Sequence, residues 1–188
     1  MSLRYAILAS LDSQPQTGYA IAREFDSGVG YFWHATHQQI YRELRKLTDE
    51  ALVEFEQIQQ DSKPSKKQYL ITASGRGALS EWLTTPTEIQ PIRDPLLVKI
   101  SAGHLTEPDV LAREILAHRA RFDERLKVFQ RYEQTYRECG NSVPVKQQYL
   151  YLTLRRGIIV CEAWIAWADE ALAFLSAETS AQNSISAG

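Results

Sequence analysis

The chain has 188 residues, 44% of them hydrophobic and 23% charged, a balance that suits one domain or two small ones with a sizeable core and excludes a disordered composition. Its formal net charge of −2 is evenly spread: residues 1–84 hold 9 Lys+Arg against 10 Asp+Glu, and residues 85–188 hold 12 against 13. No global basic field advertises a polyanionic partner, so a nucleic-acid reading has to rest on local clusters.

Residues 3–11 (LRYAILASL) read as a helix entering a core, stopped by the polar DSQPQ that follows, and lack the cleavage signal of a secretory leader. Residues 17–26 read as a second helix capped by Thr17, with Tyr19, Ile21, Ala22 and Phe25 on its apolar side. A glycine-broken loop, 27-SGVGYFW-33, leads to a third helix in 34-HATHQQIYRELRKL-47. There Thr36 suits the N-cap and Gln39 the returning position of a capping box. Ile40, Leu44 and Leu47 recur by four and three and fix the buried side. Gln38, Arg42 and Arg45 then face outward with Gln39 and Lys46 on the flank, and only Glu43 breaks a neutral-to-positive surface.

In 52-LVEFEQI-58, Val53 and Phe55 alternate with Glu54 and Glu56, the pattern of a half-buried strand. The stretch 60-QDSKPSKK-67 reads as a hairpin tip carrying Lys63, Lys66 and Lys67, and 68-QYLIT-72 as the returning strand. Thr72 caps a helix over 73–83, and the three prolines of 84-TTPTEIQPIRDP-95 mark a linker. Beyond it a short helix covers about 95–104, a long one follows Thr106 to about Cys139, Gly140 to Pro144 make a turn, and a second long helix covers about 145–178, before a tail (179–188) that reads as disordered.

The fold class that results is mainly α. Helix–helix–helix–strand–loop–strand is the order of a winged helix-turn-helix with a two-stranded wing (residues 1–84), joined by a linker (85–94) to two long antiparallel helices (95–178). In the first long helix Ile115, Phe122, Phe129 and Tyr136 recur every seven residues. In the second, Leu154, Ile158, Cys161, Ile165, Ala168, Leu172 and Leu175 form one coiled-coil stripe and Val160, Trp164, Trp167, Ala171 and Phe174 another. Two stripes imply two partners, the preceding helix and a second subunit, and Ile158, Val160, Cys161, Trp164, Ile165, Trp167 and Leu172 are the candidate dimer residues; a monomeric core with a wide apolar face is the alternative.

Gln and Arg can pair with base edges in the major groove, while a lysine-tipped wing can neutralise phosphates. The candidate DNA-contacting residues are therefore Thr36, His37, Gln38, Gln39, Arg42, Arg45, Lys46, Lys63, Lys66 and Lys67. An exposed Arg/Gln face is by itself more often simply solvated; the basic wing beside it is what favours DNA.

Thr17-Gly18-Tyr19, 28-GVGYFW-33, 36-THQQIYRELRKL-47, 63-KPSKKQYLIT-72 and Gly75 resemble the winged-helix domain of the PadR-like transcriptional regulators. The segments 93-RDPLLVKI-100, 152-LTLRRGIIV-160 and 163-AWIAWADEAL-172 resemble the AphA-type members of that family. The resemblance covers roughly 1–175. It implies a dimeric winged-helix regulator with an antiparallel coiled-coil C-terminal domain that acts in control of virulence genes with a second transcription factor. The expectation for this chain is a cytoplasmic homodimer without a cofactor, whose partners are duplex DNA and a second transcription factor or RNA polymerase. One departure stands out: where the family usually has glycine before the first wing strand, this chain has Asp49-Glu50-Ala51-Leu52. Alanine there should cost about 1 kcal/mol or force a different turn.

Other constellations are weaker. His34 and His37 lack a nearby third metal ligand, and His118 reads as a structural histidine near the helical seam. Trp164 and Trp167 could line an effector pocket for planar ligands, but packing in the dimer core is the favoured explanation. The two cysteines, outside any CxxC pair, fit a reducing compartment. The longest apolar stretch, 157–168, is broken by Glu162 and too short to span a bilayer. No catalytic motif is present. A protein-interaction winged helix and a ligand-gated regulator remain the alternatives to an ungated DNA-binding dimer on an inverted-repeat operator.

Overall fold

The computed structural model describes residues 3–26, 33–60, 63–89, 91–138 and 143–186, with the backbone alone at 60, 63, 64 and 179–186. Residues 27–32 of the glycine-broken loop, Cys139 and residues 140–142 of the turn lie outside the described residues. The chain divides into two compact units, Met1–Gln90 and Pro91–Gly188.

The first unit runs α1 (Leu3–Leu11), β1 (Gln16–Thr17), α2 (Gly18–Asp26), α3 (His37–Asp49), β2 (Val53–Gln60), β3 (Lys63–Ile71) and α4 (Ala73–Leu83). Ile7, Leu8, Ile21, Phe25, Ile40, Leu44 and Leu47 form its core, because the three helices turn their apolar sides to one another. Thr17 caps α2 through the amide of Ala20 at 3.1 Å. Thr72 caps α4 through that of Gly75 at 3.0 Å.

The wing differs from its expected form in three ways. The sheet is three-stranded, in the order β1-β3-β2, because Gln16 and Thr17 pair antiparallel with Tyr69 and Gln68. The hairpin is also longer: Lys63, Lys66 and Lys67 belong to β3, with Lys66 opposite Ile58 and Lys67 opposite Gln57. Residues 60–67 read as a tip because the sequence there lacks the alternation that marks a strand; along 54–59 and 65–67 both faces of the hairpin are exposed. Phe55 finally does not join the core with Val53; it is 37% exposed, since the strand has already left the helices behind.

At the end of α3, Ala51 adopts φ 55°, the left-handed conformation that usually calls for glycine. Its amide donates to Thr48 at 3.0 Å and that of Leu52 to Leu47 at 2.9 Å, the bond pattern of a glycine-type helix stop. Of the two outcomes expected for alanine here, the chain keeps the turn and bears the strain. Ala51→Gly should therefore raise stability by about 0.5–1 kcal/mol, after the greater freedom of glycine in the unfolded chain is discounted. A higher denaturation midpoint at unchanged wing geometry is the expected reading; a lower one would place the strain elsewhere.

The second unit contains α5 (Pro95–Ser101), a 3-10 turn (Gly103–Leu105), α6 (Pro108–Glu138) and α7 (Val145–Ser186). α6 and α7 run about 46 and 63 Å at the helical rise of 1.5 Å per residue. α7 does not stop at 178 but continues through most of the expected tail, whose sequence to Ser186 contains no glycine or proline to end it. Leu96 of α5, Ile115 and Ala168 meet in one buried cluster. Between α6 and α7, Gly157 faces Phe129, whose Cε2 lies only 2.7 Å from where a Cβ would be.

Near the turn, Glu133 gathers Tyr151, Arg155 and Arg137 at 3.1, 2.8 and 3.3 Å, beside the Tyr136–Tyr151 stack. Burial pushes its carboxyl up, but the hydrogen bonds from Arg155, Tyr151 and Arg137 outweigh burial and hold it below the ordinary range. A depressed carboxyl stabilises above its unfolded value and stops doing so as the pH falls through the folded one. Glu133→Gln should cost about 1 kcal/mol at pH 7, the partners being partly solvated. That deficit should shrink as the pH is taken below 4.5, the ordinary glutamate value; denaturation at pH 7 and pH 3 checks it.

Candidate nucleic-acid interface

The third helix is built as its sequence dictates. Thr36 accepts the Gln39 amide at 3.3 Å, and the Gln39 side chain accepts the Thr36 amide at 2.9 Å, completing the capping box. Ile40, Leu44 and Leu47 are fully buried, which leaves Gln38, Arg42, Arg45 and Lys46 exposed on the opposite side.

Glu43 does not break that face electrostatically. It turns toward Arg4 of α1, 4.0 Å away, and Arg4 is also hydrogen-bonded to Glu50. Among the described residues Arg42, Arg45 and Lys46 have no acidic partner. Two expected contacts are already engaged within the fold: Gln39 in its cap, and His37, whose Nε2 lies 2.8 Å from Asp26 Oδ2. That pairing was invisible in sequence because Asp26 sits beyond a loop. Among the described residues no three His, Cys, Asp or Glu converge as a metal site.

On the wing, Lys66 and Lys67 are exposed, and the Lys67 ammonium lies 4.0 Å over the Phe55 ring. The side chain of Lys63 lies outside the described residues. The structure adds a group of tyrosines that periodicity did not bring together; among them Tyr19, expected on the apolar side of α2, is 62% exposed. Tyr41 of α3, Tyr19 of α2 and Tyr69 of β3 come together with Thr17, Gly18, Lys66 and Lys67 around an open groove of about 400 Å³. Tyr41 also borders a second concavity, lined by Gln38, Gln39, Arg42 and Arg45. Gly18 permits this arrangement: an added Cβ would stand 2.6 Å from Tyr41 Cε1. Burial, then the neighbouring Tyr41, raise the Tyr69 phenol above its ordinary value, against an opposing pull from Arg45, so its hydroxyl stays a neutral donor.

The candidate dimer residues divide between two environments. Ile158 and Cys161 are buried where α7 runs along α6, so the first stripe is spent inside the chain. Ile165 and Leu172 are half-buried. Trp164 is half-buried in a stack with Phe122 (4.5 Å) and His118 (5.8 Å), with Trp167 edge-on at 5.3 Å. Val160 and Phe174 remain 42% and 63% exposed. No helix among the described residues is long and apolar enough to cross a membrane.

Two family models match the chain: the transcriptional regulator PadR-like family over residues 7–81 and the virulence activator alpha C-terminal family over residues 92–176. The negative transcriptional regulator PadR of Bacillus subtilis is 32% identical over 178 residues, covering 92% of this chain and 97% of that one. Its crystal structure in complex with operator DNA superposes with a TM-score of 0.79 at 28% identity, covering 93% of this chain and 99% of that one. The same regulator in complex with p-coumaric acid gives 0.70 at 27% identity, over 94% and 99%. The Vibrio cholerae virulence activator AphA gives 0.74 at 35% identity, again over 94% and 99%. By sequence along nearly its whole length, and by a winged helix followed by long C-terminal helices, this chain is a transcriptional regulator of the PadR-like family.

Proposed function

We propose that the chain binds duplex DNA sequence-specifically as a homodimer on an inverted-repeat operator. The observation that carries this reading is the α3 face itself: Glu43 is drawn to Arg4, so Gln38, Arg42, Arg45 and Lys46 present an exposed surface without an acidic partner among the described residues. That face enters a major groove, with Thr36, His37 and Gln39 at the helix start near the backbone, while Lys63, Lys66 and Lys67 follow phosphates along the wing. The complex of the Bacillus relative with operator DNA supports this reading. Residues 1–84 serve as the DNA-binding domain and 95–178 as the dimerisation domain, in the cytoplasm. A second subunit covers the exposed apolar side chains of α7, among them Val160, Ile159 and Phe174. Half-sites then lie whole helical turns of about 34 Å apart.

Selection of bound duplexes from a random pool, with the mass of the free protein measured in parallel, tests the reading. A twofold-symmetric motif bound by a dimer is expected; a monomer that retains no duplex at low salt overturns it. A ligand-gated form has one specific support, the p-coumaric acid complex of the relative. It expects a phenolic acid to release the selected duplex, and no release by any phenolic tried at millimolar concentration leaves the ungated form.

A further inference from the structure

Among the described residues the fold leaves one buried hydroxyl unused. Tyr69 is only 9% exposed, yet its hydroxyl has no hydrogen-bond partner among the described residues. Buried hydroxyls are ordinarily satisfied, and an orphan at the wall of a groove points to something that enters the groove. Among the described residues, every side-chain functional group around it can donate a hydrogen bond or carries a positive charge. Lys66 and Lys67 supply ammonium groups, and Thr17, Tyr19 and Tyr41 supply hydroxyls. The start of α2 presents the positive end of its backbone dipole there. Among the described residues no carboxylate lines the groove. Such a wall suits an anion with several acceptor oxygens.

We propose that this groove seats one phosphodiester of the DNA backbone, with the Tyr69 hydroxyl as its buried donor and Lys66 and Lys67 as its countercharges. The proposal rests on the DNA-binding reading above. A backbone phosphate fits better than a free one because the groove is open and shares Tyr41 with the concavity lined by Gln38, Arg42 and Arg45. A strand whose phosphate sits in the groove thus passes directly to the polar face of α3. Phosphate contacts fix register rather than read sequence. Tyr69 is therefore a positioning residue that holds the backbone without discriminating between sequences.

Tyr69→Phe removes one oxygen and keeps the ring against Phe55, so the free protein should keep its Tm. Affinity for the selected duplex and for a scrambled one should fall alike, by about tenfold, as for a hydrogen bond to a charged group. Replacing duplex phosphates one at a time by neutral methylphosphonates then locates the seat. At one phosphate wild type should lose affinity while Tyr69→Phe loses little more, and Lys66→Gln, on the exposed strand, should be suppressed at the same position. Wild-type binding with no such position for either variant overturns the seat and leaves DNA binding intact; no duplex binding by wild type overturns both. Inorganic phosphate, titrated against chloride at matched ionic strength, should shift the Tm of wild type and Tyr69→Phe equally. A saturable stabilisation lost in Tyr69→Phe would assign the groove to a small phosphorylated ligand and overturn the backbone assignment.

Discussion

Gly75→Ala is expected to cost the N-terminal unit about 3 kcal/mol, the upper range for overpacking a tight site. A Cβ on Gly75 would lie 2.1 Å from the Leu52 carbonyl oxygen and 2.9 Å from Ile71 Cγ1. Neither atom is free to retreat. The Leu52 oxygen accepts from both the amide and the hydroxyl of Thr72, each at 3.1 Å, and Ile71 is a core residue. Leu52 and Ile71 are also the two roots of the wing, so whatever displacement relieves the clash re-aims Lys66 and Lys67. Chemical denaturation should show the loss, and DNA affinity should fall even at temperatures where the variant is folded. Gly77, two residues on in the same helix, is the control. Nothing stands within 4 Å of its added Cβ, so Gly77→Ala should stabilise by about 0.5–1 kcal/mol, the ordinary helical advantage of alanine. Equal responses at the two positions would refute the packing account.

The contrast between these glycines shows where the sequence is informative and where it is silent. Local chemistry is legible. Thr36 and Gln39 form a capping box, Thr17 and Thr72 cap their helices, and Ile40, Leu44 and Leu47 vanish into the core, each because the deciding interaction spans no more than a few residues. The strain at Ala51 is marked instead by the resemblance, which implies glycine at that place after the helix.

Long-range pairings are not legible. β1 is two residues long and carries no periodicity, so its pairing with Tyr69 and Gln68 has no local trace. The outer wing lacks alternation because both faces meet water. The tyrosine-lined groove needs α2, α3 and β3 assembled before it exists. The same holds for Glu43. In sequence it is an acidic interruption of a basic face; only the approach of α1 brings Arg4 beside it and removes the interruption. In α7, two apolar stripes could be read but not assigned, and the burial of Ile158 and Cys161 along α6 gives the first stripe to the chain itself.

With Glu43 engaged, Arg42 and Arg45 are free to meet DNA, and their substitution should separate reading from gripping. Arg42→Ala and Arg45→Ala should each reduce discrimination between the selected and a scrambled duplex by about 1–3 kcal/mol, the value of a good base-edge pair. Both arginines are exposed and without an acidic partner among the described residues, so truncation should leave the stability of the free protein nearly unchanged. Lys66→Ala should instead weaken every sequence alike and lower the slope of log K against log salt by about one unit, because a phosphate contact releases counterions without reading a base. Binding isotherms on both duplexes at several salt concentrations resolve the two signatures. If the arginine variants lose equally on selected and scrambled DNA, the two guanidinium groups hold phosphates. Specificity would then fall to Gln38, the remaining exposed amide in the concavity whose side chain is not occupied by the helix cap.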